Sequence, residues 1–145
     1  MRRAMPHSWR KDLISLFRVN NKTASDNSDA VFAFGTLCVD AEQAAEQAEI
    51  IGVSAAVYDM RFAKPLDKSL ILDIARKFKR IVTVEDGIIR GGAGEAVVKL
   101  LSENGITTPM VTLGIDDKFV EHGTVAELRH LCGYDVDAIL HAIVE

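Results

Sequence analysis

Cysteine, proline and polar aromatics are scarce: the 145 residues include two Cys, three Pro, one Trp and two Tyr. Cys38 and Cys132 have no further Cys or His at metal-ligand spacing, which excludes a zinc module and a disulfide framework and leaves two thiols for the interior. No apolar run approaches the roughly 20 residues that cross a bilayer, and the N-terminus lacks the unbroken apolar stretch of a secretory signal. A cytoplasmic location with no membrane partner is therefore expected. Basic charge is also short, with 17 Lys/Arg against 21 Asp/Glu and a net charge of −4, which argues against a nucleic-acid binder. What the chain does have is 48% apolar residues at the length of one ordinary domain, enough for a packed core.

Charge is unevenly spread. Residues 1–29 hold six Lys/Arg against three Asp, and the remainder eleven against eighteen. Ser8 is placed to cap a short helix with Trp9, Leu13, Leu16 and Phe17 on one face and Arg10, Lys11 and Arg18 on the other. Asn20 to Asp29 is polar and turn-rich, the chemistry of a linker. The organisation expected is a basic N-terminal arm and linker over 1–29 and one domain over 30–145, with the arm docked on the body or on a second copy. A cationic amphipathic start also matches a transit peptide or a membrane-surface helix.

From Ala30 the pattern alternates strand and helix. Val31–Gly35, Ser54–Asp59, Ile81–Glu85 and Met110–Gly114 are nearly unbroken apolar runs, which suit parallel strands buried on both faces. Between them lie helical stripes: Ala41, Ala44, Ala45 and Ala48; Leu70, Ile71, Ile74 and Phe78; Val97, Leu100 and Leu101. Asp67 is set to cap the second helix, and Thr124 with Glu127 forms a capping-box pattern for a fourth. Gly133 stops that helix, and Asp135 or Asp137 opens a last one with Ile139, Leu140 and Ile143 inward. The expected fold is a three-layer α/β/α domain with a mostly parallel sheet.

Ligands in such sheets bind beyond the carboxyl ends of the strands, so the loops there carry the candidate residues. Arg90-Gly91-Gly92-Ala93-Gly94-Glu95 follows a strand and opens a helix, and its glycines suit close packing or an anion held on free helix amides. It lacks the Lys-Ser/Thr of a phosphate loop. Glu85 and Asp86 end a strand, but neighbouring strand residues point to opposite faces, so a structural, hydrogen-bonded Glu85 is expected rather than an acid–base pair. Arg61 and Lys64 are candidates for a phosphate or a partner's carboxylate. His122, beside Glu121, has no nucleophile in a supporting motif. No catalytic, cofactor or metal residue is assigned; Arg61, Lys64, Glu85, Asp86, Arg90, Gly91, Gly92, Gly94 and His122 stand as interface or anion contacts.

Five blocks in order carry a resemblance: Val31-Phe32-Ala33-Phe34-Gly35-Thr36-Leu37; Tyr58-Asp59-Met60-Arg61-Phe62-Ala63-Lys64-Pro65-Leu66-Asp67; Val82-Thr83-Val84-Glu85-Asp86; Gly91-Gly92-Ala93-Gly94; and Leu113 to Gly123. Together they resemble the C-terminal domain of the 1-deoxy-D-xylulose-5-phosphate synthases, which is similar to that of transketolases and 2-oxoacid dehydrogenase β subunits. The resemblance implies a parent transferase that condenses pyruvate with glyceraldehyde 3-phosphate on thiamine diphosphate and magnesium, at the head of an isoprenoid pathway. It implies a transketolase-like dimer, and partners in the diphosphate- and pyrimidine-binding domains. This chain would be a non-catalytic assembly domain and would itself carry no cofactor. Two departures stand out: Arg90 where the family has an apolar residue, and residues 1–29, which do not look like the family's interdomain connection. A reading of another class keeps the Gly91–Gly94 loop, with Arg61, as the site of a small anion- or nucleotide-binding regulator.

Overall fold

The computed structural model describes residues 28–145. The expected helix around Trp9 and Phe17 lies outside the described residues. Four strands form one parallel sheet: β1 (Asp29–Phe34), β2 (Ala55–Asp59), β3 (Arg80–Ile88) and β4 (Met110–Ile115), in the order β2-β1-β3-β4. Five α-helices connect or follow them: α1 (Cys38–Ile50), α2 (Lys68–Ala75), α3 (Ala93–Glu103), α4 (Val125–Cys132) and α5 (Val136–Val144). Among the described residues no helix is long and apolar enough to cross a membrane.

Period-two alternation divides the strands between two cores. Ala30, Phe32, Tyr58 and Ile81 face α2 and α3, where they meet Leu70, Ile71, Ile74, Val97 and Leu101. Val31, Ala33, Val57, Val82 and Val84 face the other layer, built from the alanine stripe of α1 and from Ile139 and Ile143 of α5. Helices on both faces of a parallel sheet make the three-layer arrangement.

Local chemistry ends the helices where the sequence places its caps. Asp67 accepts from the Leu70 amide and Asp135 from the Ala138 amide, so it is Asp135 rather than Asp137 that opens α5. Thr124 and Glu127 form the reciprocal capping box of α4, and Gly133 closes that helix in the left-handed region at φ 73°.

Three boundaries differ from expectation by two residues or more. β1 begins at Asp29, two residues early, because that carboxylate is buried against Arg80 with N···O of 2.6 Å. β3 runs on past Glu85: after an irregularity its Ile88 pairs again with Ile115 of β4. α2 stops at Ala75, short of Phe78, whose ring turns in to meet Tyr58 edge-on at 6.1 Å.

Candidate functional site

The carboxyl ends of β1, β2 and β3 surround an open depression lined by Phe34, Gly35, Thr36, Arg61, Ala63, Glu85, Asp86 and Ala93, about 470 Å³ in volume. One wall is the glycine loop. Glu85 Oε2 accepts from the Ala93 amide at 2.7 Å and Oε1 from the Gly94 amide at 2.9 Å. The Gly91 amide donates to Glu95 Oε2 and the Gly92 amide to the Ile89 carbonyl. All four backbone donors from Gly91 to Gly94 thus have partners within the chain, and the anion at the start of α3 is the protein's own carboxylate. The glycines make this possible. A Cβ at Gly92 would overlap the Glu85 carboxylate, and one at Gly94 would sit 2.6 Å from Thr83 Oγ1.

Asp86 points the other way, as strand alternation requires, and anchors a cluster. Arg129 of α4 donates to Asp86 at 2.8 Å, to Thr36 at 2.9 Å and to Asp40 of α1 at 2.8 Å, while the Tyr134 hydroxyl donates to Asp86 at 2.9 Å. The hydrogen bond from Arg129 holds the Asp86 carboxyl below its ordinary range, and burial, followed by the bond to Asp86, pushes the Tyr134 phenol up to about 12. Asp40, Arg129 and Tyr134 carry no motif. Arg129 lies 43, 89 and 93 positions from its three partners.

The remaining candidates spread along the rim. Arg61, in the left-handed region at φ 51°, lies 3.6 Å from the Asp59 carboxylate. Arg90 pairs with Asp117 at 2.9 Å, which gives the unusual charge a partner on the loop after β4. Lys64 and His122 are exposed on the loops after β2 and β4. Glu85, Asp86 and Arg61 are therefore brought to one depression together with Ala93 of the glycine loop, whereas Lys64, Arg90, Gly91, Gly92, Gly94 and His122 are not among its lining residues. Two side chains overlooked as site residues stand on loops at the same end of the sheet, after β2 and β4: Phe62 is 64% exposed and Phe119 fully so.

A parallel sheet between two helical layers is the α/β architecture shared with transketolase C-terminal domains. The chain belongs to the transketolase C-terminal domain family, whose model matches residues 22–139. It is 42% identical over 125 residues to a 1-deoxy-D-xylulose-5-phosphate synthase of Bacteroides fragilis and 40% identical over 139 residues to one of Bacteroides thetaiotaomicron. Those matches cover 86% and 94% of this chain but 19% and 22% of the relatives, in their C-terminal part, so the chain spans about a fifth of their length. Among solved structures, a split-gene transketolase in the form of an inactive beta4 tetramer superposes with a TM-score of 0.75 at 32% identity, over 83% of this chain and 39% of that one. A Campylobacter jejuni transketolase shares the fold at a TM-score of 0.57 and 16% identity, over 84% of this chain and 17% of that one. A match over 94% of the chain takes in most of residues 1–29.

Proposed function

We propose that this chain is the non-catalytic assembly domain of a thiamine-diphosphate-dependent 1-deoxy-D-xylulose-5-phosphate synthase. The parent reaction would join pyruvate to glyceraldehyde 3-phosphate with loss of carbon dioxide. The observation that carries this reading is the closed glycine loop: the amides that would cradle a diphosphate are bonded to Glu85, Glu95 and Ile89. The donor set does not fit thiamine diphosphate and magnesium, since Asp86 is engaged by Arg129 and Tyr134 and, among the described residues, no group of three or more His, Cys, Asp or Glu side chains converges as for a metal ion. The same closure counts against the reading as an anion- or nucleotide-binding regulator, because its loop donors are already satisfied.

Diphosphate- and pyrimidine-binding domains would then supply the chemistry, and this domain would hold them in register. Calorimetry tests the division of labour. Thiamine diphosphate with magnesium titrated into the chain should give no heat of binding, and micromolar affinity would sink the proposal. Adding the upstream portion of a homologous synthase should then bring about pyruvate decarboxylation.

A further inference from the structure

We infer that the carboxyl end of the sheet is a docking face for the upstream portion of the synthase, anchored by Phe119 and Phe62. This rests on the parentage proposed above, and it names side chains that neither the glycine loop nor the Arg129 cluster uses. Phe119 is fully exposed and Phe62 is 64% exposed. They stand on the loops that follow the two edge strands, β4 and β2, whose axes lie three strand spacings, about 14 Å, apart across the sheet. Val39 at the start of α1, Ile88 at the end of β3 and Val125 at the start of α4 are exposed at the same end. Large apolar side chains gathered at one end of a domain mark a surface that another protein covers. Each buried Phe removes about 150–250 Å² from water, so the two would supply a good part of the roughly 800 Å² per partner of a stable interface.

Charge selects the occupant. Three of the cations near these rings are matched from within, Arg61 by Asp59, Arg90 by Asp117, and Lys118 by Asp116 at 3.8 Å, which leaves the exposed Lys64 as a single charge beside Phe62. A face whose cations are mostly paired with its own carboxylates favours an apolar protein surface over a nucleic acid or a phosphate. Its relatives extend over about five times this chain's share of them, with the match at their C-terminal part, so the polypeptide that precedes this domain is the surface at hand.

The test mixes the chain with the Bacteroides fragilis synthase shortened by its own matching segment, and follows association by sedimentation. Phe119→Ser and Phe62→Ser should each weaken association at least tenfold and the pair should abolish it. Ile50→Ser, at the far end of α1 and equally exposed, should leave it unchanged. Melting curves of the free variants should superpose on that of the parent chain, because neither ring is buried in it. Association that ignores both Phe variants overturns the docking face while leaving the parentage standing; no association of the unaltered chain overturns both. A self-associated chain made monomeric by Phe119→Ser, with no synthase present, would assign the face to a second copy and also overturn the proposal. If the shortened synthase precipitates, hydrogen exchange decides in a chimera that carries this chain in place of that segment. Protection of residues 60–64 and 116–122 relative to the free chain supports the docking face, and unchanged exchange there refutes it.

Discussion

Glu85 is the residue on which the glycine loop turns. Its side chain lies in the interior, and both oxygens accept amides from the first turn of α3. Glu85→Gln keeps the shape but replaces one acceptor by a donor facing an amide, at a cost of about 1–3 kcal/mol. Gly94→Ala tests the same contact from the other side. Its new methyl must displace Thr83, buried in the sheet, and overpacking of this kind costs about 1–3 kcal/mol. Urea midpoints should fall for both variants, whereas Gly52→Ala, with open space around it, should show only the smaller cost of its left-handed backbone at φ 85°. This contact was legible beforehand in part: a carboxylate ending a strand before a glycine-rich helix start suggests a structural acceptor, but not that it satisfies the loop.

Proton binding at two single residues sets the alkaline limit. Burial, then the neighbouring Asp59 carboxylate, raises the Cys38 thiol to about 12, and Tyr134 reaches about 12 for the reasons given above. Both groups are acids whose folded pKa exceeds the unfolded value of 9.0 or 10.0, so their stabilisation is complete below those values and is lost as pH rises toward 12. Stability should decline between about pH 9 and pH 12, and Tyr134→Phe should flatten the upper part of that slope in urea titrations read across the range. Cys38 should also react slowly with thiol reagents at pH 8, since little of it is thiolate. Asp86 acts at the opposite end. Its lowered folded pKa gives stability that is present above the unfolded value of 3.8 and lost as pH falls through the folded one.

At the scale of elements, α4 shows what sequence reasoning could and could not reach. Its ends were readable because caps are local: Thr124 and Glu127 lie three residues apart, and Gly133 follows the last turn. Its attachment was not, because only Cys132 of this eight-residue helix is buried. Arg129 holds it instead, through carboxylates on β3 and α1 that folding alone brings near. Arg129→Ala should cost about 2 kcal/mol, near the low end for a hydrogen-bonded ion because Asp86 remains partly solvated. Hydrogen exchange should locate the loss in α4 and the start of α1, leaving α2 and α3 protected. The β3 extension escaped for a related reason: Asp86-Gly87 looks like a turn, and only the pairing of Ile88 with Ile115 makes it strand.

Across the whole molecule, alternating apolar strands and helical stripes carried the architecture, since buried parallel strands announce themselves as continuous runs. The order β2-β1-β3-β4 has no such signature, and neither does the bond that closes the domain at the amino end of the sheet. There Arg80 of β3 meets Asp29 of β1 and also donates to the Ile143 carbonyl of α5 at 2.8 Å, joining the first strand to the last helix. Asp29 is buried and Arg80 nearly so. Removing the cation alone leaves a carboxylate without its partner in the interior, so Arg80→Met should destabilise by about 3–5 kcal/mol. Adding Asp29→Asn to that variant should recover part of the loss, because the charge that needed a partner is then gone. A double mutant no more stable than Arg80→Met would show that the cost lies in the bond to Ile143 and the packing of the arginine stem, and that the ion pair itself contributes little to closing the fold.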